Sequence, residues 1–220
     1  MIEKIDIRQT MESKAYSILK NSILHGILKP GEKLNQEKLA QQLNVSRIPI
    51  RIAINRLEKD GLVQSIPYKG TRVTIFSKSD VEDIYSIRLL LEIHALKLSI
   101  DYINEDELKK LYSIHEEMKR SFREDPLSNI GILNKNFHMN LYKMCGHRRL
   151  IKMINDTWNS LPLNFFWNFS KEAKKSLVEH GQILEFAKKR EKEKACKILK
   201  VHLNRSKIEL LKKFTTDSCI

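Results

Sequence analysis

The 220-residue sequence predicts a mainly α protein, in which an N-terminal unit of three helices and one hairpin precedes an all-helical bundle of six or seven helices. Three observations predict it. Gly (7) and Pro (5) are scarce, which argues against a sandwich, a Gly-rich nucleotide fold or a long disordered segment. Apolar residues recur at helical spacing along most of the chain. Two short β-prone runs stand side by side before residue 76, and the chain beyond them reads as helix throughout.

From Met11 to Gly26 the apolar residues Ala15, Ile18, Leu19, Ile23 and Ile27 form a helical stripe that Lys29-Pro30-Gly31 breaks. A second helix runs from Gln36 to about Leu43, with Asn35 as its N-cap and Leu39, Ala40 and Leu43 inward. After a three-residue turn, Ser46 caps a third helix, Arg47 to Asp60, whose inner stripe is Ile50, Ala53, Ile54 and Leu57, and Gly61 stands where a left-handed C-cap belongs. These are helix-turn-helix proportions. Leu62–Ile66 and Thr71–Phe76, separated by Pro67-Tyr68-Lys69-Gly70, read as a hairpin with a basic tip, which completes a winged helix-turn-helix over residues 1–76.

Residues 77–79 are expected to be a linker, and Ser79 with Glu82 forms a capping box at the head of the second domain, 80–220. Val81–Tyr102 reads as one long helix. Asn104 caps another that has Glu105, Asp106 and Glu107 in its first turn, where acidic groups favour the helix dipole. Asp125-Pro126 restarts the chain into a helix that runs to Cys145 and stops at Gly146. Further helices are expected over about Arg148–Ser160, Lys171–Arg190 and Glu191–Phe214.

Forty Lys and Arg against 27 Asp and Glu give a net charge of +13, which points to nucleic acid or an acidic surface without locating the contact. No run of about 18 uncharged apolar residues exists, and the N-terminus lacks a signal-peptide core, so a cytoplasmic protein without membrane contact is expected. Cys145, Cys196 and Cys219 lie far apart and outside any CxxC spacing, so neither a disulfide framework nor a Cys zinc site is indicated.

Within the winged region, Arg47 and Arg51 leave one face of the third helix one turn apart, at the end of such a helix that enters the major groove. An Arg fork pairs bidentately with guanine, so Arg47 or Arg51 is expected to read a base. Ser46, beyond capping, can donate to a phosphate; Lys33, Arg56, Lys69 and Arg72 are expected to reach phosphates, and Gly70 lets the wing backbone approach the minor groove. The stretch PGEKLNQEKLAQQLNVSRIPIRIAINRLEKDGLVQSIPYKGTRV resembles the winged helix-turn-helix of GntR-type transcription regulators over about residues 10–75. The departures are Ile50 for Val, Ile54 for Leu, and Asn55 where Arg is frequent.

The second half carries polar residues on apolar stripes. Asn134 and His138 sit on the face of Ile130, Leu133, Phe137, Leu141 and Met144; His180 lies among Ala173, Leu177, Leu184 and Ala187; His202 lies among Ala195, Leu199 and Leu210. Buried polar groups need partners, and three histidines on three helices converge naturally on a ligand. His25, His94, His115 and His147 lack such a setting and read as structural or exposed. Residues 80–214 resemble the all-helical FCD domain of the fatty-acid-regulator subfamily, where an Asp-x-x-x-His, a Glu-His and a later His often hold a divalent metal. The resemblance implies Asn134, His138, His180 and His202 as the ligand set, with Asn134 replacing the family's Asp. An imidazole-rich set suits Zn or Ni, and loss of the Asp charge implies a weakened site that a carboxylate effector helps to fill. The alternative is a ligand bound by the three histidines without metal. Arg88, with Glu92 one turn on, matches the family's R-x-x-x-E, whose Arg often meets the effector's carboxylate; an internal Arg88–Glu92 ion pair is the other reading.

The aromatic run Leu161–Phe169 reads as core packing or a cavity lining, and the basic stretch Lys188–Lys213 as a solvated helix face, with a second DNA contact as the other reading. The resemblances together imply a homodimer that binds a palindromic double-stranded DNA operator, senses a small organic acid and is not an enzyme. Two other classes compete: a non-specific nucleic-acid-binding architectural protein, favoured by charge alone, and a His-metal hydrolytic enzyme, disfavoured because no Asp or Glu stands beside the histidines as an obvious base.

Overall fold

The first apolar stripe forms α1 (Met11–Leu24) in the computed structural model, which describes residues 10–24, 26–124, 130–160 and 170–213. Only part of that stripe faces inward. Ala15, Leu19 and Ile23 are buried, whereas Ile18 and Ile27 are exposed, because a wider stripe would exceed what one partner helix can cover. α2 (Gln36–Gln42) starts at Asn35, whose Oδ1 accepts from the backbone of Glu37 at 2.9 Å and Lys38 at 3.1 Å. Asn44, at φ 51°, turns the chain into α3 (Arg47–Lys59). Ser46 holds the N-cap position there but makes no side-chain capping bond.

Pro49, Ile50, Ala53, Ile54 and Leu57 of α3 are buried, and the helix packs on α1. Each large aliphatic side chain so buried contributes about 1.5–3 kcal/mol. Leu34, Leu39, Ala40, Leu62, Val63 and Val73 close this small core. β1 (Val63–Ile66) and β2 (Gly70–Val73) pair antiparallel, Val63 opposite Val73 and Ile66 opposite Gly70. Gly70, at φ 81°, makes the return, and a Cβ there would stand 3.3 Å from Lys33 Cε. Both strands are shorter than the β-prone runs. The outer edge of β2 is paired by the segment Gly31–Leu34: Gly31 N donates to Val73 O, Val73 N to Glu32 O, and Leu34 N to Thr71 O.

The chain divides into two compact units, Met1–Ile75 and Phe76–Ile220. The second starts from a cap other than the expected one. Ser77, not Ser79, is the N-cap of α4 (Lys78–Tyr102): Asp80 N donates to Ser77 Oγ at 3.1 Å, and Ser77 N to Asp80 Oδ2 at 2.7 Å. The box therefore pairs Ser77 with Asp80 rather than Ser79 with Glu82, and residues 78 and 79 belong to the helix. α5 (Glu105–Glu124), α6 (Ile130–Lys143), α7 (Arg148–Ser160), α8 (Ser170–Lys188) and α9 (Lys192–Lys213) follow, giving six helices in this unit among the described residues. The Asp125-Pro126 restart and Leu161–Phe169 lie outside the described residues.

α4 is central, with α6, α7 and α9 packed on it, while α5 packs on α6 and α8, and α8 on α9. Its C-terminus is closed from a distance. Arg190, itself at φ 57°, donates to the carbonyls of Ile100, Asp101 and Ile103, groups that the helix end leaves without partners of its own. Cys145 and Cys196 are buried thiols. Among the described residues no helix is long and apolar enough to cross a membrane.

Candidate functional site

The first unit presents α3 as a mixed basic and apolar face. Arg47 and Arg51 are exposed, four residues apart and so on one side of the helix, along the edge of the buried stripe of Ile50, Ala53, Ile54 and Leu57. Ile48 and Ile52 lie about 100° further round the helix, at 59% and 44% exposure. They were not picked out as site residues, although apolar residues out of phase with a buried stripe are the available signal. Ser46 is exposed beside Arg47. Lys69 is exposed at the hairpin tip next to Gly70, and Lys33 faces Arg72 across a β-bridge.

Two of the expected phosphate contacts have work inside the fold. Arg72 is half-buried, and its Nη1 donates to Gly31 O at 2.9 Å, tying the wing to the segment before α2. Arg56 lays its guanidinium 3.9 Å from the centroid of the Tyr16 ring, while the Tyr16 hydroxyl donates to Asp60. Burial, then the Asp60 carboxylate, push the Tyr16 hydroxyl well above its ordinary range. That arrangement joins α1 to the end of α3.

In the second unit α6, α8 and α9 bring His138, His180 and His202 together. All three are buried, and one ring nitrogen of each lies within 4.8 Å of the others. His138 Nε2 and His180 Nε2 are 3.1 Å apart. Zn–N bonds of about 2.0–2.1 Å place neighbouring tetrahedral donors roughly 3.3–3.4 Å apart, a spacing that the His138–His180 pair approaches, with the third donor within 4.8 Å. Asn134, one turn before His138, is 1% exposed, and neither its Oδ1 nor its Nδ2 has a partner. An orphaned buried amide costs about 1–3 kcal/mol, and a bound group that it could reach would remove that cost.

A second layer surrounds the imidazoles, and most of it was not foreseen. His202 Nδ1 donates to Glu179 Oε2 at 2.7 Å, and Arg205 grips both Glu179 oxygens at 2.8 and 2.6 Å. Burial raises the Glu179 carboxyl, but the hydrogen bonds from Arg205 and His202 outweigh it and hold the group down at about 2. A carboxylate behind a histidine fixes the tautomer and strengthens the donor. Its charge is offset by Arg205, so the carboxylate orients His202 without adding net negative charge to the site. Phe137 stacks on His180 with ring centroids 4.6 Å apart. His115 is buried beside them, its Nε2 donating to Leu177 O at 2.8 Å, which makes it structural; His94 and His147 are exposed, and His25 lies outside the described residues.

Arg88 is buried at 3% exposure, and its Nε donates to Glu92 Oε1 at 2.6 Å, so the internal ion pair is present. Glu92 also accepts from Trp158 Nε1 at 3.1 Å and from the Tyr142 hydroxyl at 2.6 Å. Tyr142 in turn lies 3.0 Å from His138 Nδ1. The Arg88 guanidinium packs over the Trp158 ring at 4.2 Å. The Arg-Glu pair and the histidines therefore form one continuous buried network.

Burial holds His138 and His180 well below the ordinary imidazole value of 6.5 and lowers His202, the positive neighbours adding to the shift. Between these depressed values and 6.5 the unfolded chain binds more protons than the folded one, so stability declines as pH falls below about 6.5. Trp158 is buried in the second unit, so its fluorescence follows that unit's unfolding. The urea midpoint is expected to drop between about pH 7.5 and pH 5.5, and a midpoint that held or rose would contradict neutral burial of the histidines.

A helix-turn-helix with a basic exposed third helix and a basic wing, joined to a helical unit built around a buried polar centre, marks a two-domain DNA-binding regulator. Comparison with known proteins gives the family. The model for bacterial regulatory proteins of the gntR family matches residues 11–73, and that for the FCD domain matches residues 83–205. The HTH-type transcriptional regulator YdhC of Bacillus subtilis is 36% identical over 194 residues, 86% of each chain. McbR of Escherichia coli, another HTH-type transcriptional regulator, is 28% identical over 64% of this chain and 63% of its own. Among solved structures, E. coli McbR/YncC superposes with a TM-score of 0.80 at 22% identity, covering 95% of this chain and all of the other, and so shares the fold. A GntR-family regulator from Pseudomonas syringae gives 0.55 at 29% identity, covering 94% of this chain and 86% of the other. The chain belongs to the GntR family of DNA-binding transcription regulators and carries an FCD domain.

Proposed function

We propose that this regulator binds a two-fold symmetric operator as a homodimer and that a divalent transition metal, Zn or Ni, together with a small carboxylate, sets its affinity for that operator. The observation that carries the sensing half is the convergence of three buried imidazoles from three helices beside the orphaned Asn134 amide. His138, His180 and His202 would hold the ion. The bound ion would supply a positive anchor for an effector's carboxylate, which lone neutral imidazoles do not offer. Asn134 suits this division of labour better than an Asp, because its Nδ2 can donate to an organic acid while an Asp oxygen can only accept when ionised.

Arg47 and Arg51 are the base-reading residues of this regulator, and Ile48 and Ile52 stand beside them where thymine methyl groups would be met. Lys69 and Lys33 contact phosphates, Ser46 can do the same because its hydroxyl is not used in capping, and Gly70 lets the wing come close to the minor groove. Arg56 and Arg72 contribute charge from positions already anchored in the fold. The Arg88 and Glu92 pair lies on α4, which follows the wing after residues 74–77. An effector that binds one arrangement of α4 better than another would shift the spacing of the two heads in a dimer.

Footprinting on the duplex that the full-length protein selects from a random pool tests this reading. One short dyad should be protected, at a protein concentration that shifts when Zn²⁺ alone, or Zn²⁺ with mono-, di- and tricarboxylates, is added. Broad protection without a dyad would instead favour an architectural protein.

A further inference from the structure

Tyr142 stands between the Arg88–Glu92 pair and the histidines, and its hydroxyl has one proton to place. Glu92 Oε2 lies 2.6 Å away and is a carboxylate oxygen, an acceptor only. The other groups on Glu92, Arg88 Nε and Trp158 Nε1, are donors, so the contact between Glu92 and Tyr142 is filled by the phenol proton. The Tyr142 oxygen then has only lone pairs left for His138 Nδ1 at 3.0 Å. That nitrogen must carry the proton. A neutral imidazole has one N–H, so His138 Nε2 is bare, and it is this nitrogen that lies 3.1 Å from His180 Nε2.

We infer that Tyr142 is a positioning residue that commits His138 to its Nδ1–H form, turning the Nε2 lone pair toward the centre shared with His180 and His202. The inference deepens the metal reading and rests on it only for its effect on affinity; the tautomer stands on the hydrogen bonds alone. Glu179 does the same for His202, whose Nδ1–H is spent on the carboxylate, so two of the three imidazoles are oriented by acids lying outside the centre. For His138 the acid acts through a phenol. The neutral phenol follows from its setting, since burial and then the Glu92 charge push the hydroxyl well above its ordinary range. Because Glu92 also holds Arg88, a carboxylate ligand that draws Arg88 away leaves Glu92 to polarise Tyr142 more strongly. The phenol oxygen then becomes a better acceptor for His138 Nδ1–H, and Nε2 a better donor to an ion. Anion binding at Arg88 and cation binding at the histidines are thereby linked, each strengthening the other.

The test uses the full-length protein with ¹⁵N-labelled histidine, without metal, and reads the His138 tautomer from long-range ¹H–¹⁵N spectra assigned with His138→Gln. Wild type should show His138 protonated on Nδ1, and Tyr142→Phe should lose that form or mix it with the other. Chelator competition should then show Zn²⁺ affinity falling by about ten- to hundredfold in Tyr142→Phe. A wild-type His138 protonated on Nε2 overturns the inference, and it does so even where the variant fails to fold. An unchanged tautomer or unchanged Zn²⁺ affinity in a folded Tyr142→Phe overturns it too. If the tautomer switches as expected while wild type takes up no Zn²⁺, the positioning role stands and the metal reading falls.

Discussion

Replacing Arg88 by Ala is expected to destabilise the second unit by about 3–5 kcal/mol, because removing one partner of a buried pair leaves the other charge uncompensated. Glu92 is completely buried, and its remaining contacts with Tyr142 and Trp158 are single hydrogen bonds from neutral donors. Neither neutralises a carboxylate. The guanidinium also packs over Trp158 and Tyr85, so truncation opens space in the core as well. Urea unfolding followed by tryptophan fluorescence measures the loss, and a change below about 1 kcal/mol would show that the pair is not buried in solution. The double variant Arg88→Met with Glu92→Gln should recover much of the stability, since the charge imbalance goes with the pair. This matters for function. Arg88→Ala by itself cannot separate loss of effector binding from loss of packing, whereas the double variant should fold, bind the selected operator and ignore carboxylates.

Arg47→Ala and Arg51→Ala should each cost about 1–3 kcal/mol on the selected operator, roughly five- to 150-fold in affinity, and much less on random duplex. Both side chains are exposed and neither caps nor braces the fold, so the loss is not a stability effect. Lys69→Ala should behave differently, weakening all sequences alike and lowering the salt slope by about one. Titrations of the selected and a scrambled duplex at several salt concentrations make the distinction. Equal losses on both duplexes for both Arg variants would contradict base reading. Arg72→Ala belongs to neither class, because its bond to the Gly31 carbonyl anchors the wing.

The head was legible because its information is local. Ser46, Gly61, the Pro30-Gly31 break and the stripe of α3 each act within a turn or two of themselves. At the start of α4 two local signals compete: Ser77 with Asp80 and Ser79 with Glu82 both spell a capping box, and only the backbone decides between them. The polar centre was half legible. His138, His180 and His202 stand out as polar residues on apolar stripes, but Tyr142 and Trp158 look like ordinary core aromatics until Glu92, 50 and 66 residues away, is brought to them. Glu179 adjoins His180 in sequence, yet neighbours on a helix diverge by about 100°, and its carboxylate serves His202 on the next helix. Ile48 and Ile52 passed unremarked because isoleucine on a helix is first counted as core.

If the buried histidines of this regulator form a metal-dependent sensing centre, metal analysis of the full-length protein will show it. After equilibration with Zn²⁺ or Ni²⁺ and removal of free ion, wild type should retain one ion per chain and His180→Ala should lose it. Wild-type protein that retains no more metal than the variant would contradict the claim.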